Sequence, residues 1–271
     1  MLNGCSVATF TWKLTLPSQK PKRTDDSDPV EVVLSDEDTA HVLRDGEIIG
    51  GERNRWGSNY TFIVHVLAGP AQYIRAVYKP RDGEAPLYDF AHGSLYKREY
   101  AAYLLSRSLG WPRVPATVLR EGPYGVGSIQ RFVESAPRMT YFELVPDRAQ
   151  ELLRFAVFDV MTNNADRKAG HCLLGDDGQV WSIDHGLTFH SDFKLRTVMV
   201  EYWGQRIPRA VLDDIFAVAD RLGNDESLAR QLAEVLTEEE TGALRKRIEV
   251  LLERQTIPKF DPYHNVPWPL V

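Results

Sequence analysis

The sequence predicts an α+β protein with two lobes, in which a strand-rich N-terminal half precedes a mainly helical C-terminal half. Two observations support this fold class. Short runs with strand-like alternation and many β-branched or aromatic residues cluster before residue 135. Amphipathic patterns with an apolar residue every three or four positions fill the final third of the chain. A cleft between two such lobes is a common place for a ligand.

Composition and charge narrow the class of protein. The chain has 271 residues, of which 43% are hydrophobic, and this is enough for a substantial core. The net charge of −6 argues against a general nucleic-acid partner, which needs a basic surface. Cys5 and Cys172 are too few for a disulfide framework, and no apolar run reaches the roughly 18 residues of a membrane span. We therefore expect a cytoplasmic protein without integral membrane association.

The N-terminal elements follow from local signals. PSQKPKRTDDSDP contains only proline, charged and polar residues, so residues 1–34 are expected to form a disordered tail and linker. The N-terminal lobe then spans residues 35–134. A short helix opens it, because SDED offers N-capping side chains and Gly46 offers a stop. Two strands follow, YTFIVHVLA at 60–68 and QYIRAVYK at 72–79.

The remaining elements divide between the two lobes. YKREYAAYLLSRSL predicts a helix that ends at Gly110, and PATVLRE and GSIQRFVES predict two more strands. The C-terminal lobe, residues 135–271, is expected to open with a buried helix at 147–162, which has an aspartate start signal. A short hairpin at 172–186 follows. Three amphipathic helices complete the chain: IPRAVLDDIFAVADRL, LARQLAEVL and TEEETGALRKRIEVLLERQ.

The stretch NNADRKAGH, residues 163–171, concentrates polar chemistry between the buried helix and the hairpin. It contains Asp166, and Asp184 lies near the end of the hairpin segment, which can return the second carboxylate beside the first. Upstream, Lys79 ends a strand and Glu99 lies on the next helix. Phosphoryl transfer needs a fixed cation on the phosphates and carboxylates for a metal and for the acceptor hydroxyl. Each signal is weak alone, but their combination in this order favours such a site.

Together, AVYKP, KREYAAYLLSRSLG with VPATV, NNADRKAGH and SIDHG resemble the phosphoinositide 3-/4-kinase-like superfamily. The likeness is greatest to small bacterial members and runs from about residue 40 to residue 255. The chain is similar in outline to type II phosphatidylinositol 4-kinases and, more distantly, to bacterial HipA-like protein kinases. The resemblance implies a two-lobed, protein-kinase-like fold that binds ATP in the cleft together with Mg²⁺ or Mn²⁺.

The same resemblance implies roles for individual residues. Lys79 corresponds to the phosphate-contacting lysine, and Glu99 corresponds to its partner on the helix. Asp166 corresponds to the catalytic aspartate, and Asp184 corresponds to the metal-binding aspartate. The lobe-linking segment IQRFVES would bind adenine through its backbone, which gives a nucleotide-binding set of Gln130, Phe132, Val133 and Glu134. A turn over the phosphates would consist of Gly57, Ser58 and Asn59.

One position departs from the family pattern. These families usually place an asparagine five residues after the catalytic aspartate as a second metal ligand, and here that position is His171. Imidazole suits Mn²⁺ and other transition ions better than Mg²⁺, which prefers oxygen. The metal preference is therefore shifted, one metal site is lost, or His171 has a different role. Asn164 supplies either a carboxamide from the other side of Asp166 or a hydrogen bond that shapes the loop.

The sequence leaves three functional hypotheses. The first is an ATP-dependent kinase that transfers the γ-phosphoryl group to a hydroxyl on a protein or a small molecule, with a lipid less favoured. Lys194 and Arg196 would meet an anionic acceptor or form a solvated surface. The second is a pseudokinase, a regulatory module that binds nucleotide without phosphotransfer, which His171 and the incomplete glycine loop favour. The third is a kinase-fold enzyme that transfers AMP.

Overall fold

A computed structural model describes residues 29–54, 59–224 and 227–271 of the chain. A six-stranded sheet forms the N-terminal lobe, and helices with a two-stranded hairpin form the C-terminal lobe. This arrangement confirms the α+β fold with two lobes. The strands of the large sheet are β1 (Val30–Glu31), β2 (Ile48–Asn54), β3 (Thr61–Gly69), β4 (Gln72–Pro80), β5 (Thr117–Gly122) and β6 (Gly125–Arg131).

The sheet has the order β2-β3-β4-β6-β5, and β1 pairs in parallel with the start of β4. Side chains alternate across the pleat, so Ile74, Ala76 and Tyr78 of β4 point into the core. Lys79 therefore points to the opposite face of the same strand. This alternation is what directs a cation toward the space between the lobes.

Two strands were missing from the sequence prediction. β1 lies within the segment that was expected to be a disordered linker, so the ordered lobe begins before Ser35. β2 has the sequence IIGGERN, in which paired glycines hide the strand pattern. A Cβ at Gly51 would lie 2.5 Å from the carbonyl oxygen of Ile63 on β3, so the close approach of the two strands requires glycine there.

Two helices belong to the N-terminal lobe, α1 (Asp36–Asp45) and α2 (Leu95–Leu109). The predicted caps of α1 are confirmed: the Ser35 side chain accepts a hydrogen bond from the amide of Asp38, and Gly46 ends the helix. α2 ends at Gly110 in a left-handed conformation with φ of 78°. α2 packs against β5 and β6 on one side and against the C-terminal helices on another, which buries Glu99.

The C-terminal lobe contains the hairpin and five helices among the described residues. They are α3 (Tyr141–Thr162), β7 (Cys172–Leu174), β8 (Val180–Ser182), α4 (Arg209–Gly223), α5 (Ser227–Ala233), α6 (Glu238–Arg254) and α7 (Pro262–Asn265). α3 begins six residues before the predicted start, because Thr140 and Glu143 form a capping box. The helix then kinks at Arg148, just after Pro146.

A buried ion pair anchors the polar loop that follows α3. Arg167 and Asp159 are both fully buried, and the Arg167 Nε lies 3.1 and 3.0 Å from the two carboxylate oxygens of Asp159. One terminal nitrogen of Arg167 donates to the carbonyl oxygens of His171 and Ile183. The other lies 3.0 Å from the Nε2 of His185. One guanidinium thus ties together α3, the loop and the segment after the hairpin.

Asp159→Asn should destabilise the fold by about 3–5 kcal/mol, because it leaves the buried charge of Arg167 without a counterion. Urea unfolding of the variant and the natural chain measures the difference in the free energy of unfolding. Asp213→Asn is the matched control, since Asp213 pairs with Arg209 on the surface of α4. The control should change the free energy by less than about 1 kcal/mol. Equal losses in the two variants would contradict the anchoring role of the buried pair.

Candidate functional site

A cleft between the lobes forms a cavity of about 420 Å³. Its apolar walls come from Ile63 and Val77 in the N-terminal lobe and from Leu173 and Ile183 in the C-terminal lobe. Polar side chains line another part of the same cavity, and they include Lys79, Glu99, Asp166 and Asp184. A cavity of this kind, mostly apolar with a few convergent polar groups, is typical of small-molecule sites.

Lys79 joins two carboxylates from different elements. Its Nζ contacts the Oε1 of Glu99 on α2 and lies 3.0 Å from the Oδ1 of Asp184. Burial lowers the pKa of Lys79, but the charges of Asp184 and Glu99 outweigh it, so the pKa lies above its ordinary value. Lys79 in turn holds the pKa of Asp184 well below its usual range. Both groups are therefore ionised at neutral pH.

Asp184 has a strained backbone. Its φ of 60° lies in the left-handed region, which costs a residue other than glycine about 1–3 kcal/mol. Glu99 helps to hold this conformation, because its Oε2 accepts a hydrogen bond of 3.0 Å from the amide of His185. Half of the Asp184 side chain is exposed to the cleft. Strain of this kind clusters at functional sites, where it aims a side chain that relaxed backbone would turn away.

Asp166 is held by its own loop. Its amide donates a 3.0 Å hydrogen bond to the Oδ1 of Asn164, whose Nδ2 donates to Asp159. Asn164 is buried and shapes the loop through these bonds. The Nζ of Lys168 lies 3.1 Å from the Oδ2 of Asp166. Burial raises the pKa of Asp166, and Lys168 opposes this rise.

His171 lies beside Asp184, with 3.3 Å between its Nε2 and the Asp184 Oδ2. Burial lowers the pKa of His171 to about 4, so the imidazole is neutral at pH 7. Its Nδ1 accepts a 3.4 Å hydrogen bond from the amide of Lys168. This assigns the ring hydrogen to Nε2, which then donates to Asp184. In this tautomer His171 orients the carboxylate and presents no lone pair toward it.

The lobe-linking segment meets the cavity only in part. Gln130, Phe132 and Val133 line the cavity, and the backbone of Val133 makes no hydrogen bond with any described residue. The Phe132 ring lies under the guanidinium of Arg75, 4.6 Å from its centroid. Glu134 does not line the cavity, because its exposed side chain pairs with Arg75 at 2.6 Å. The contribution expected of Glu134 is through its backbone, and it stays a prediction.

The predicted turn over the phosphates is described only in part, since Gly57 and Ser58 lie outside the described residues. Asn59 lines the cavity, and its Oδ1 accepts a hydrogen bond of 2.7 Å from the amide of Ala85. Glu84 also lines the cavity and was not predicted from the sequence. Its Oε1 accepts a hydrogen bond from the amide of Tyr96 and so caps the first turn of α2. A carboxylate well ahead of the helix gave no local signal.

The segment after α6 braces the polar loop. The amide of Ala169 donates a 2.8 Å hydrogen bond to the carbonyl oxygen of Leu270. Asn265 donates from its side chain to the Leu195 carbonyl oxygen, and its own carbonyl accepts from the amide of Thr197. No local signal in the sequence predicts this contact. The nearby Lys194 was expected to contact an anionic acceptor or to form a solvated surface. Its Nζ lies 3.2 Å from the carboxylate of Asp89.

The side chains of the cleft fit a metal ion that takes some of its ligands from the protein and the rest from a bound substrate. Over the parts of the chain that the structure describes, no three His, Cys, Asp or Glu side chains are placed to hold a metal ion by themselves. Mg²⁺ is usually held by one or two carboxylates together with phosphate oxygens, and Asp184 offers such a carboxylate at the cavity. No helix within the described ranges is long and apolar enough to cross a membrane.

Comparison with known proteins gives relatives by sequence and by fold. Residues 95–248 match the family model for phosphatidylinositol 3- and 4-kinase. Protein Rv2133c of Mycobacterium tuberculosis is 39% identical over 273 residues, a match that covers 88% of this chain and 97% of the relative. Phosphatidylinositol 4-kinase gamma 4 of Oryza sativa subsp. japonica is 31% identical over 127 residues, which are 40% of this chain and 22% of that protein.

Two solved structures share the fold at low sequence identity. Golgi casein kinase with Mn/ADP bound has a TM-score of 0.54 and 16% identity, with 80% of this chain and 74% of that chain covered. Hydra Fam20 with sugar has a TM-score of 0.50 and 15% identity, with 79% of this chain and 87% of that chain covered. These neighbours confirm the kinase-like fold. The family match over more than half of the chain, with the near-complete coverage of a 39% identical relative, shows that this chain belongs to the phosphatidylinositol 3- and 4-kinase family.

Proposed function

We propose that this protein is an ATP-dependent phosphotransferase that moves the γ-phosphoryl group of ATP to a hydroxyl on a protein or a small molecule. Membership of a kinase family supports phosphotransfer in general. The observation that carries the specific proposal is the contact of Lys79 with both Glu99 and Asp184 in a cleft that Asp166 also lines. A cation fixed between two carboxylates is prepared to receive phosphates.

Lys79 would bind the phosphates of ATP. Its position is fixed before ATP arrives, because the buried carboxylate of Glu99 holds the ammonium group. Preorganised charge of this kind stabilises developing negative charge without reorganisation during the reaction. The apolar walls of the cavity suit an adenine ring, and the unpaired backbone of Val133 offers it hydrogen bonds. Golgi casein kinase with Mn/ADP bound is a precedent for nucleotide in a cleft of this fold.

Asp166 would accept the proton of the acceptor hydroxyl. Its Oδ2 is paired with Lys168, whereas its Oδ1 has no partner among the described residues and is the atom that would take the proton. Burial raises the proton affinity of this carboxylate above that of a solvated aspartate, which suits a general base. The ammonium group of Lys168 opposes the rise in the pKa of Asp166 and so favours the ionised carboxylate.

Asp184 would hold the divalent metal together with phosphate oxygens of ATP. When bound, Mg²⁺ or Mn²⁺ supplies charge neutralisation on the transferred phosphoryl group. His171 would act on Asp184 through the hydrogen bond from its Nε2, which fixes the orientation of the carboxylate. This role explains why a histidine can replace the usual asparagine at this position without being a metal ligand.

Asp184→Asn should weaken metal-dependent ATP binding about tenfold to hundredfold, because it removes a charged ligand of the metal. Calorimetric titration of ATP with Mg²⁺, and separately with Mn²⁺, measures the change. Asp213→Asn on the surface of α4 is the control and should bind like the natural chain. Similar affinity with the two metals is expected if His171 only orients Asp184. A strong Mn²⁺ preference would identify His171 as a ligand, and no ATP binding with either metal would contradict the proposed function.

Asp166→Asn should lower kcat by about 10²- to 10⁴-fold while ATP binding is retained, because only the proton acceptor is removed. The rate of γ-phosphate release from labelled ATP to water can be measured without a known acceptor. Label placed on the α-phosphate tests AMP transfer in parallel, since only that reaction would leave it on the protein or acceptor. ATP binding without turnover in the natural chain would indicate a pseudokinase. Unchanged turnover in Asp166→Asn would contradict the base role.

A further inference from the structure

A second cavity, of about 610 Å³, lies at the kink of α3 and shares no lining residue with the cleft. It is a groove formed by the loop after α2, the kinked part of α3 and the turn between β7 and β8. We call it the arginine groove. The residues that carry the argument are Trp111, Arg113, Arg148, Glu151, Arg154 and Phe155.

Arg154 is the distinctive residue of the arginine groove. It is partly buried on α3, and its Nε is buried without a hydrogen-bond partner. It forms no hydrogen bond or ion pair with any residue that the structure describes. Arg167 is the contrast, because all three of its guanidinium nitrogens bond to other groups. The buried Nε has lost contact with water without gaining an acceptor, which is costly, so a ligand that supplies an acceptor would be favoured.

Two further arginines border the arginine groove. Arg113 is exposed, and its guanidinium lies 5.8 Å from the Trp181 ring without a hydrogen bond to a described residue. Arg148 is also exposed and donates to the carbonyl oxygen of Gly178 at 3.2 Å. Its other terminal nitrogen lies 3.7 Å from the carboxylate of Glu151. With Asp147 as the second carboxylate, three cations face two anions in the lining, so the groove has a net positive charge.

We propose that the arginine groove binds the phosphate group of a small organic phosphate. Guanidinium groups present paired N–H donors whose geometry matches phosphate oxygens, and Arg154 has this whole set unused. The volume lies in the range that small ligands occupy in proteins. Trp111 and Phe155 also line the groove, but both are buried and offer a ligand little apolar surface. This inference does not depend on the proposed phosphotransfer.

Calorimetric titration of the full chain with phenyl phosphate tests the arginine groove. Arg154→Gln should weaken binding about tenfold or more, because it removes charge-assisted hydrogen bonds. Arg148→Gln should also weaken binding. Because Arg148 is exposed, this variant should fold and can replace Arg154→Gln if that variant does not fold. Glu151→Gln should tighten binding, since Glu151 competes for Arg148. Arg209→Gln, on the surface of α4, is the matched control and should have no effect.

Three results would overturn the assignment. The first is no binding by the natural chain, or unchanged affinity in Arg148→Gln and Arg154→Gln. The second is loss of binding in Lys79→Gln with retention in Arg154→Gln, because the ligand would then occupy the cleft. The third is equal affinity for benzoate, which would show that the site does not select phosphate. Binding that Arg154→Gln weakens, Glu151→Gln tightens and Lys79→Gln leaves unchanged supports the proposal.

Discussion

The buried pair of Arg167 and Asp159 is the constraint on which the rest of the site depends. A guanidinium cannot lose its charge in a protein, so burying it requires a full set of acceptors. Asp159 on α3 supplies the charge, and the carbonyl oxygens of His171 and Ile183 supply further acceptors. These acceptors come from separate stretches of the chain. Satisfying one buried group therefore places the polar loop, the hairpin and the approach to Asp184 relative to one another.

The cleft brings one cation and two carboxylates together. Lys79 arrives from the sheet, Glu99 from α2 and Asp184 from the C-terminal lobe. Each group would be costly to bury alone; Lys79 and Asp184 keep one another ionised, whereas burial raises the pKa of Glu99. The strained backbone of Asp184 is held by the same network, since Glu99 also accepts the amide of His185. Contacts between the two lobes thus stabilise the strained conformation.

Polar groups that the proposed reaction does not use divide into those that support the fold and those that it leaves available. The Oε1 of Glu84 caps α2, and Asn265 fastens the final segment against the residues after the hairpin. Both roles are structural supports of the cleft. Arg154 is different, because the described fold offers it no acceptor although it sits at the lining of a sizeable groove. That difference separates a residue that builds the protein from one that is available to a ligand.

Local signals in the sequence were enough to predict several elements. Alternation marked β3 and β4, a serine and a glycine capped α1, and the chemistry of residues 163–171 marked the polar loop. The family was also readable, because its residues stand in a characteristic order. The partner of His171, the outward direction of the Glu134 side chain and the lack of a described partner for Arg154 became known only from the folded chain. These depend on contacts between residues distant in the chain, and a side chain's partners are fixed only when packing brings those segments together.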